Sequence, residues 1–347
     1  MSDRTFNLAV FIGRFSPLHL GHCHVISTAL EYADKICILV GSSFTPRSYR
    51  NPWSFDERKE MIVNTFKDIQ DRIIVLPLED FAYNDSQWIQ NVQQLVSEVV
   101  EGQFSGRYPR ITLIGHNKDN SSYYLKLFPQ WASINVPGYV NEDFVLASTN
   151  IREWYFSNYI RIETQHLPPA VCDFLEKFNK TTEYKNIVEE YEFIRNYKKS
   201  WESAPYEPIF VTSDAIVIQS GHVLLVKRKA RPGKGLWALP GGFLKANEKI
   251  EDCVLRELRE ETKIKVPLPV LKGSIITSKV FDNPFRSSRG RTITHAYLIS
   301  LKPDNSLPQV KGSDDAQFAK WFPLANVKRE MMFEDHLDIL NYMSALL

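Results

Sequence analysis

Through about residue 150, short apolar runs alternate with longer amphipathic ones: Leu8–Gly13, Leu20–Tyr32, Lys35–Gly41, Phe55–Phe66, Arg72–Leu78, Trp88–Val100 and Arg110–Gly115. The short runs fit strands and the longer ones helices, so the rhythm is βαβαβ. That alternation predicts a parallel sheet covered by helices on both faces. Its ligands are expected beyond the carboxyl ends of the strands, where the strand order reverses. One helix start is marked by Ser54 and Glu57, which have the S-x-x-E spacing of a capping box ahead of Met61, Ile62 and Phe66.

Between about Phe156 and Ser203 the texture becomes charged, aromatic and helical, with Tyr184-Lys185-Asn186 and Tyr197-Lys198-Lys199-Ser200 lacking any strand-like run. After Pro208 it turns β-rich: Ile209–Gln219, a Ser220-Gly221 turn, Val223–Lys229, a glycine-rich loop, one strong helix, then strands at 270–281 and 292–301. The pattern predicts an α/β domain over 1–185 that ends in a helical segment. A linker over 186–207 and a mixed α+β domain over 208–347 follow. No internal repeat relates the halves.

Composition agrees with two domains, since 347 residues exceed the ~100–200 of an ordinary single one. At 44% hydrophobic and 24% charged residues, disordered and fibrous classes are excluded. The 42 basic and 41 acidic side chains nearly cancel, so no overall field favours nucleic acid or a membrane, and any phosphate binding must be local. Cys23, Cys37, Cys172 and Cys253 form no CxxC pair and read as reduced thiols. The apolar run Leu8–Ile12 is too short for a signal-peptide core or a membrane span, so a cytoplasmic location is expected. Oligomeric state is left open, a homo-oligomer included.

Chemistry concentrates in two places. In Gly13-Arg14-Phe15-Ser16-Pro17-Leu18-His19-Leu20-Gly21-His22 a strand ends at Gly13 and a helix begins near Leu20. His19 and His22 therefore share one face of its first turn. The helix N-terminus, the close backbone approach at Gly13 and the charge of Arg14 make an anion site. Donors fixed there stabilise charge on an α-phosphate and a departing pyrophosphate, which is what nucleotidyl transfer needs without a covalent intermediate. His22-Cys23-His24 is a poor zinc motif.

The second place runs from Gly242 through Glu248 to Arg256-Glu257-Leu258-Arg259-Glu260-Glu261. Glu257, Glu260 and Glu261 crowd one helical face and repel one another unless cations intervene. Mg2+, or Mn2+, held by these oxygens would bridge a diphosphate and activate a water. Alone, the hexapeptide is more often a solvated salt-bridged face; the full spacing with Trp237-Ala238-Leu239-Pro240-Gly241 reverses that reading.

The first segment resembles the HxGH nucleotidyltransferase superfamily, with its Rossmann-like fold. Gly41-Ser42-Ser43, Arg50-Asn51-Pro52-Trp53-Ser54, then Asp80, Asn84 and Trp88, and Ser148-Thr149-Asn150-Ile151-Arg152 resemble the archaeal-type nicotinamide mononucleotide (NMN) adenylyltransferases over roughly 8–155. The resemblance implies that Arg14 and Arg50 contact phosphates and that Asn84 and Trp88, with Asp80, bind NMN. A tryptophan plane suits a cationic pyridinium ring. The STxxR segment matches a helix N-terminus where Ser148 caps, Thr149 bonds phosphate and Arg152 returns one turn later, a catalytic position beside His19 and His22. Gly115–Tyr124 is expected to shape the adenosine side.

The second segment resembles the Nudix box, with one departure: its final glycine is Lys263. A lysine there costs on the order of 1 kcal/mol if the turn is left-handed. The loop Asp282–Thr292 is similar to that of ADP-ribose pyrophosphatases, and Arg286, Arg289 and Arg291 are its expected diphosphate ligands. The order of modules resembles the bifunctional NMN adenylyltransferase/Nudix hydrolases. This implies ATP and NMN giving NAD and pyrophosphate in the first half, and ADP-ribose hydrolysed to AMP and ribose 5-phosphate in the second. Its metal would sit on Glu257, Glu260 and Glu261. The alternatives are a different phosphorylated acceptor, another nucleoside diphosphate derivative, or a non-catalytic regulatory Nudix half.

Overall fold

A computed structural model describes residues 4–104, 108–116, 124–141, 144–145, 147–157, 164–312 and 316–347. The chain falls into two units, Met1–Glu189 and Glu190–Leu347.

In the first unit the strands are β1 (Phe6–Gly13), β2 (Ala33–Val40), β3 (Ile73–Pro77), β4 (Ile111–Gly115) and β5 (Ala132–Asn135). They form one sheet in the order β3-β2-β1-β4-β5, every neighbour parallel. Leu8, Ala9 and Val10 are fully buried, as central parallel strands covered on both faces must be. Helices α1 (Leu20–Tyr32), α2 (Phe55–Thr65) and α3 (Asp85–Gln103) make the crossovers. Val92, Val96 and Val99 of α3 pack on Leu8, Val10, Cys37 and Leu39. The order reverses between β1 and β4, so the crevice beyond Gly13 and Gly115 is the ligand position of this topology. A short ribbon, β6 (Val140–Asn141) with β7 (Phe144–Val145), precedes α4 (Ser148–Phe156) and α5 (Pro169–Phe178).

Residues 186–207, expected as a linker, are helical as far as Lys199: α6 (Thr182–Lys199) runs through the boundary between the units. Ile187 is buried before that boundary, and Glu190 and Ile194 after it.

The second unit is a mixed sheet. Strands β8 (Phe210–Gln219), β9 (His222–Arg228), β10 (Trp237–Ala238), β11 (Gly241–Phe243), β12 (Ile275–Phe281), β13 (Thr292–Ser300) and β14 (Ala316–Pro323) are crossed by α7 (Ile250–Thr262), α8 (Leu268–Gly273) and α9 (His336–Ser344). The order is β10-β9-β8-β13-β12, with β11 on β8 and β14 on β9; β8 and β13 are parallel. Val254, Leu255 and Leu258 of α7 bury against Ala215, Val217 and Leu224. The strand expected from residue 270 begins at Ile275, because Leu268–Gly273 is helical behind Pro267. Among the described residues no helix is long and apolar enough to cross a membrane.

Candidate active sites

Each unit holds a cavity at the place its topology prepares. The first, about 510 Å3, lies at the switch point and is lined among others by Gly13, Arg14, His19, His22, Trp88 and Arg152. His19 is the N-cap of α1. Its Nδ1 accepts the N–H of His22 at 3.4 Å, while the Nδ1 of His22 accepts the N–H of His19 at 3.3 Å. Both Nδ1 atoms are acceptors, so in the neutral rings the proton is on Nε2. The rings stack at 3.7 Å, and desolvation pushes His22 down to about 3. At neutral pH His22 is therefore an uncharged N–H donor at a helix N-terminus.

The backbone around them is strained. Phe15 and Ser42, just beyond the ends of β1 and β2, have φ of 49° and 53°, a region non-glycine residues seldom enter. Arg58, 1% exposed, clamps both: its Nη1 donates to Arg14 O at 2.8 Å and Gly41 O at 2.7 Å, and its Nη2 to Ser42 O at 3.1 Å. Burial pushes this guanidinium down to about 10. Sequence reasoning missed Arg58, although it shares a helical face with Met61 and Ile62 and so marks a charge on a buried stripe. Asp80 receives the N–H of Ser42 at 3.1 Å and its hydroxyl at 2.5 Å.

Arg152, 4% exposed, donates from Nη1 to Ser16 O at 2.7 Å and from Nη2 to Thr149 Oγ1 at 3.2 Å. Its buried Nε has no partner among the described residues. Arg50 lies in the loop before α2, outside the cavity lining, yet its charge helps burial hold Arg152 near 10. Ser148 is not the cap expected: the N-cap is Ala147, with no side-chain bond, and the Ser148 hydroxyl donates to Pro17 O at 3.3 Å. The pre-helical position is one residue earlier, so Ser148 ties the helix to the histidine loop instead. Asn84 caps α3, accepting the N–H of Gln87 at 3.0 Å, and does not line the cavity. Trp88 lines the cavity and packs edge-on to Tyr124 at 6.3 Å. Of Gly115–Tyr124, residues 117–123 lie outside the described residues, whereas His116 and Tyr124 line the cavity.

In the second unit the backbone leaves no room for a side chain at Gly241, where a Cβ would run into Ser213 O, whereas at Gly242 it would stand 2.5 Å from the Glu257 carboxylate, the movable end of a side chain. Glu261 Oε2 accepts the Gly241 N–H at 3.0 Å. The crowding of the three glutamates is relieved first by arginine. Arg256 bonds both oxygens of Glu248 at 2.6 and 2.9 Å, then Glu257 at 2.7 Å and Glu260 at 2.9 Å. Among the described residues no three His, Cys, Asp or Glu side chains converge as a metal-holding group. Glu257 and Glu260 turn to Arg256, and Glu261 turns to Gly241. The donor set nevertheless suits a hard cation: burial pushes Glu261 up to about 8 and raises Glu257 in spite of its bond to Arg256, so a cation would stabilise the charged form of both carboxylates.

The second cavity, about 180 Å3, is lined among others by Asp214, Arg228, Glu261, Arg289, Glu334 and His336. Glu260 opens instead on a groove of about 530 Å3 with Arg259 and Lys263. Arg228 was not anticipated; its guanidinium lies 4.0 Å over the Phe333 ring, and the only signal was its place in Lys227-Arg228-Lys229 at a strand end. The three loop arginines separate. Arg286 and Arg289 both line the cavity, Arg286 buried on Asp335 and Arg289 lying 5.0 Å over Phe243, whereas Arg291 pairs with Asp282 outside that lining. His336 accepts the Leu239 N–H on Nδ1 at 3.0 Å, and burial pushes it down to about 3. Lys263 is left-handed, with φ 46° and ψ 32°.

Comparison with known proteins matches both halves. A cytidylyltransferase-like family profile covers residues 10–95 and a NUDIX domain profile covers 210–343. A nicotinamide/nicotinic acid mononucleotide adenylyltransferase from Acinetobacter baylyi is 36% identical over 187 residues, 54% of this chain and 94% of that protein. An ADP-ribose pyrophosphatase from Methanocaldococcus jannaschii is 34% identical over 133 residues, 38% of this chain and 72% of that protein. A crystal structure from Francisella tularensis, described as a bifunctional NMN adenylyltransferase/ADP ribose pyrophosphatase complexed with AMP and a manganese ion, is 36% identical with a TM-score of 0.89. It covers 98% of this chain and 99% of its own.

Proposed function

The chain belongs to the bifunctional NMN adenylyltransferase/ADP-ribose pyrophosphatase family, and from that premise we propose how its side chains divide the two reactions. In the first unit the 5′-phosphate of NMN attacks the α-phosphorus of ATP, giving NAD and pyrophosphate. The observation that carries this reading is the meeting of His19, His22, Arg14 and Arg152 in one cavity at the switch point. Both histidines donate from Nε2 to phosphate oxygens, and Arg14 and Arg152 meet the charge that grows on the departing pyrophosphate. Catalysis is positioning and charge stabilisation, with no side chain acting as nucleophile. Trp88 offers its face to the pyridinium ring.

In the second unit water cleaves ADP-ribose to AMP and ribose 5-phosphate. Glu257, Glu260 and Glu261 would hold Mg2+ or Mn2+, which when bound polarises phosphorus and lowers the pKa of water. Arg228 and Arg289, each resting on an aromatic ring, offer planar donors to the diphosphate. The four free cysteines agree with a cytoplasmic enzyme of small nucleotides.

The test is incubation of the purified chain with Mg2+ and either NMN plus ATP or ADP-ribose, products being separated by chromatography. NAD is expected from the first mixture, and AMP with ribose 5-phosphate from the second. A panel of other phosphorylated acceptors that outruns NMN overturns the first assignment. His19→Ala should abolish transfer and spare hydrolysis, and Glu260→Gln should do the reverse.

A further inference from the structure

We infer that Arg286 is a positioning strut of the hydrolase site rather than a ligand of its substrate, and that Arg289 is the loop arginine that meets the diphosphate. The inference rests on the reading that this unit hydrolyses ADP-ribose. The Arg286 Nε and Nη2 each donate to an Asp335 oxygen at 2.9 Å, and the two side chains are only 4% and 7% exposed. To reach a phosphate, this guanidinium would have to leave a buried carboxylate uncompensated, which is among the costlier things a folded chain can do.

The next acid upstream grips the same loop at a second point. Glu334 Oε1 accepts the N–H of Ser288 at 2.9 Å and its hydroxyl at 3.2 Å. Glu334 makes this contact from a left-handed backbone, φ 44°, a strain that surrounding contacts must hold. His336, next after Asp335, holds the Leu239 N–H on the other wall. Three consecutive side chains thus fasten the arginine loop and the segment before the box glycines to one short stretch.

Arg291 belongs to the base of the loop. It donates to Asp282 O and stands 3.8 Å from the Asp282 carboxylate. Arg286 and Arg289 both line the cavity, but the Arg286 guanidinium is committed to Asp335 and Arg291 lies at the base of the loop, which leaves Arg289 as the loop cation for a ligand. Its buried Nε lacks a partner among the described residues, and Phe243 holds the guanidinium plane.

The experiment uses the full chain with ADP-ribose and Mg2+, following KM, kcat and the unfolding temperature for Arg289→Met, Arg286→Met, Asp335→Leu and the double variant Arg286→Met/Asp335→Leu. Arg289→Met should raise KM by about tenfold or more with its unfolding temperature unchanged, because a charge-assisted contact is lost and no buried partner is stranded. Each single change in the Arg286–Asp335 pair should lower the unfolding temperature and slow hydrolysis. The double variant should melt above both singles and return KM to within about threefold of the parent, since two apolar side chains can replace a buried pair. A stable double variant that keeps the KM defect of Arg286→Met overturns the strut, as does one melting no higher than either single. An unchanged KM in Arg289→Met overturns its role. If the parent itself fails to cleave ADP-ribose, the functional reading falls, and the thermal coupling, measured without substrate, still decides whether the pair is a strut.

Discussion

Lys263 stands where the Nudix box has glycine, and it takes the left-handed backbone that glycine would take. A side chain pays about 0.5–1 kcal/mol for that conformation. Lys263→Gly should therefore raise resistance to urea by about that much and leave ADP-ribose hydrolysis unchanged. His19 poses the opposite case, a residue with two duties. Asn at an N-cap keeps the helix start, whereas Ala costs about 1 kcal/mol, so His19→Asn should lose adenylyl transfer while unfolding close to the parent, and His19→Ala should lose both transfer and stability. A His19→Asn chain with substantial transfer activity would remove His19 from the chemistry. The two histidines were legible because their spacing with Gly21 is local. The roles of the three loop arginines were not, because what separates them is Asp335, 49 positions away from Arg286, and no pattern within the loop encodes that partner.

The elements followed from the sequence where burial is two-sided. β1 to β4 and α1 to α3 appear as apolar runs and periodic stripes because each must bury most of its length. β5 is mostly exposed and β14 half exposed along its length, so little apolar signal marks them, and both were missed. α9 was missed for a different reason: Asp338 is buried on Arg329 and His336 on the Leu239 N–H, polar burial that hydrophobic periodicity cannot register. That helix start has a pH signature. The folded form keeps His336 neutral down to about 3, whereas an unfolded chain protonates its histidines near 6.5. The unfolded state thus binds more protons in that window, and stability falls as pH drops from about 6.5 toward 3, by on the order of 1 kcal/mol per pH unit. His336→Gln, which retains an acceptor for the Leu239 N–H without titrating there, should flatten that slope in pH-resolved thermal unfolding of the hydrolase unit.

At the scale of the whole chain, two units were expected from length and texture, but not that a helix would run through their boundary. The charged, aromatic sequence of 186–207 lacks strand character, and its helix is recognisable only through side chains buried on either side of Glu189, such as Ile187 and Ile194. From Glu190 onward α6 and the turn after it serve the hydrolase: Glu190 Oε2 accepts the buried N–H of Gly233 at 3.2 Å, and Tyr197 and Trp201 lie against Phe210. Glu190→Ala strands that N–H and should destabilise the hydrolase unit by about 1–3 kcal/mol, read as a lower unfolding temperature with adenylyl transfer unchanged. For a protease the consequence is asymmetric. Cleavage favours extended, exposed segments, and the first such stretch after α6 holds Tyr206, 86% exposed. A chymotryptic nick there leaves the transferase fragment carrying all of α6, while the hydrolase fragment departs without its Glu190 bond and the aromatic cover of Phe210. The first fragment should outlast the second, an order of survival that gel electrophoresis and the two activity assays would read from one digest.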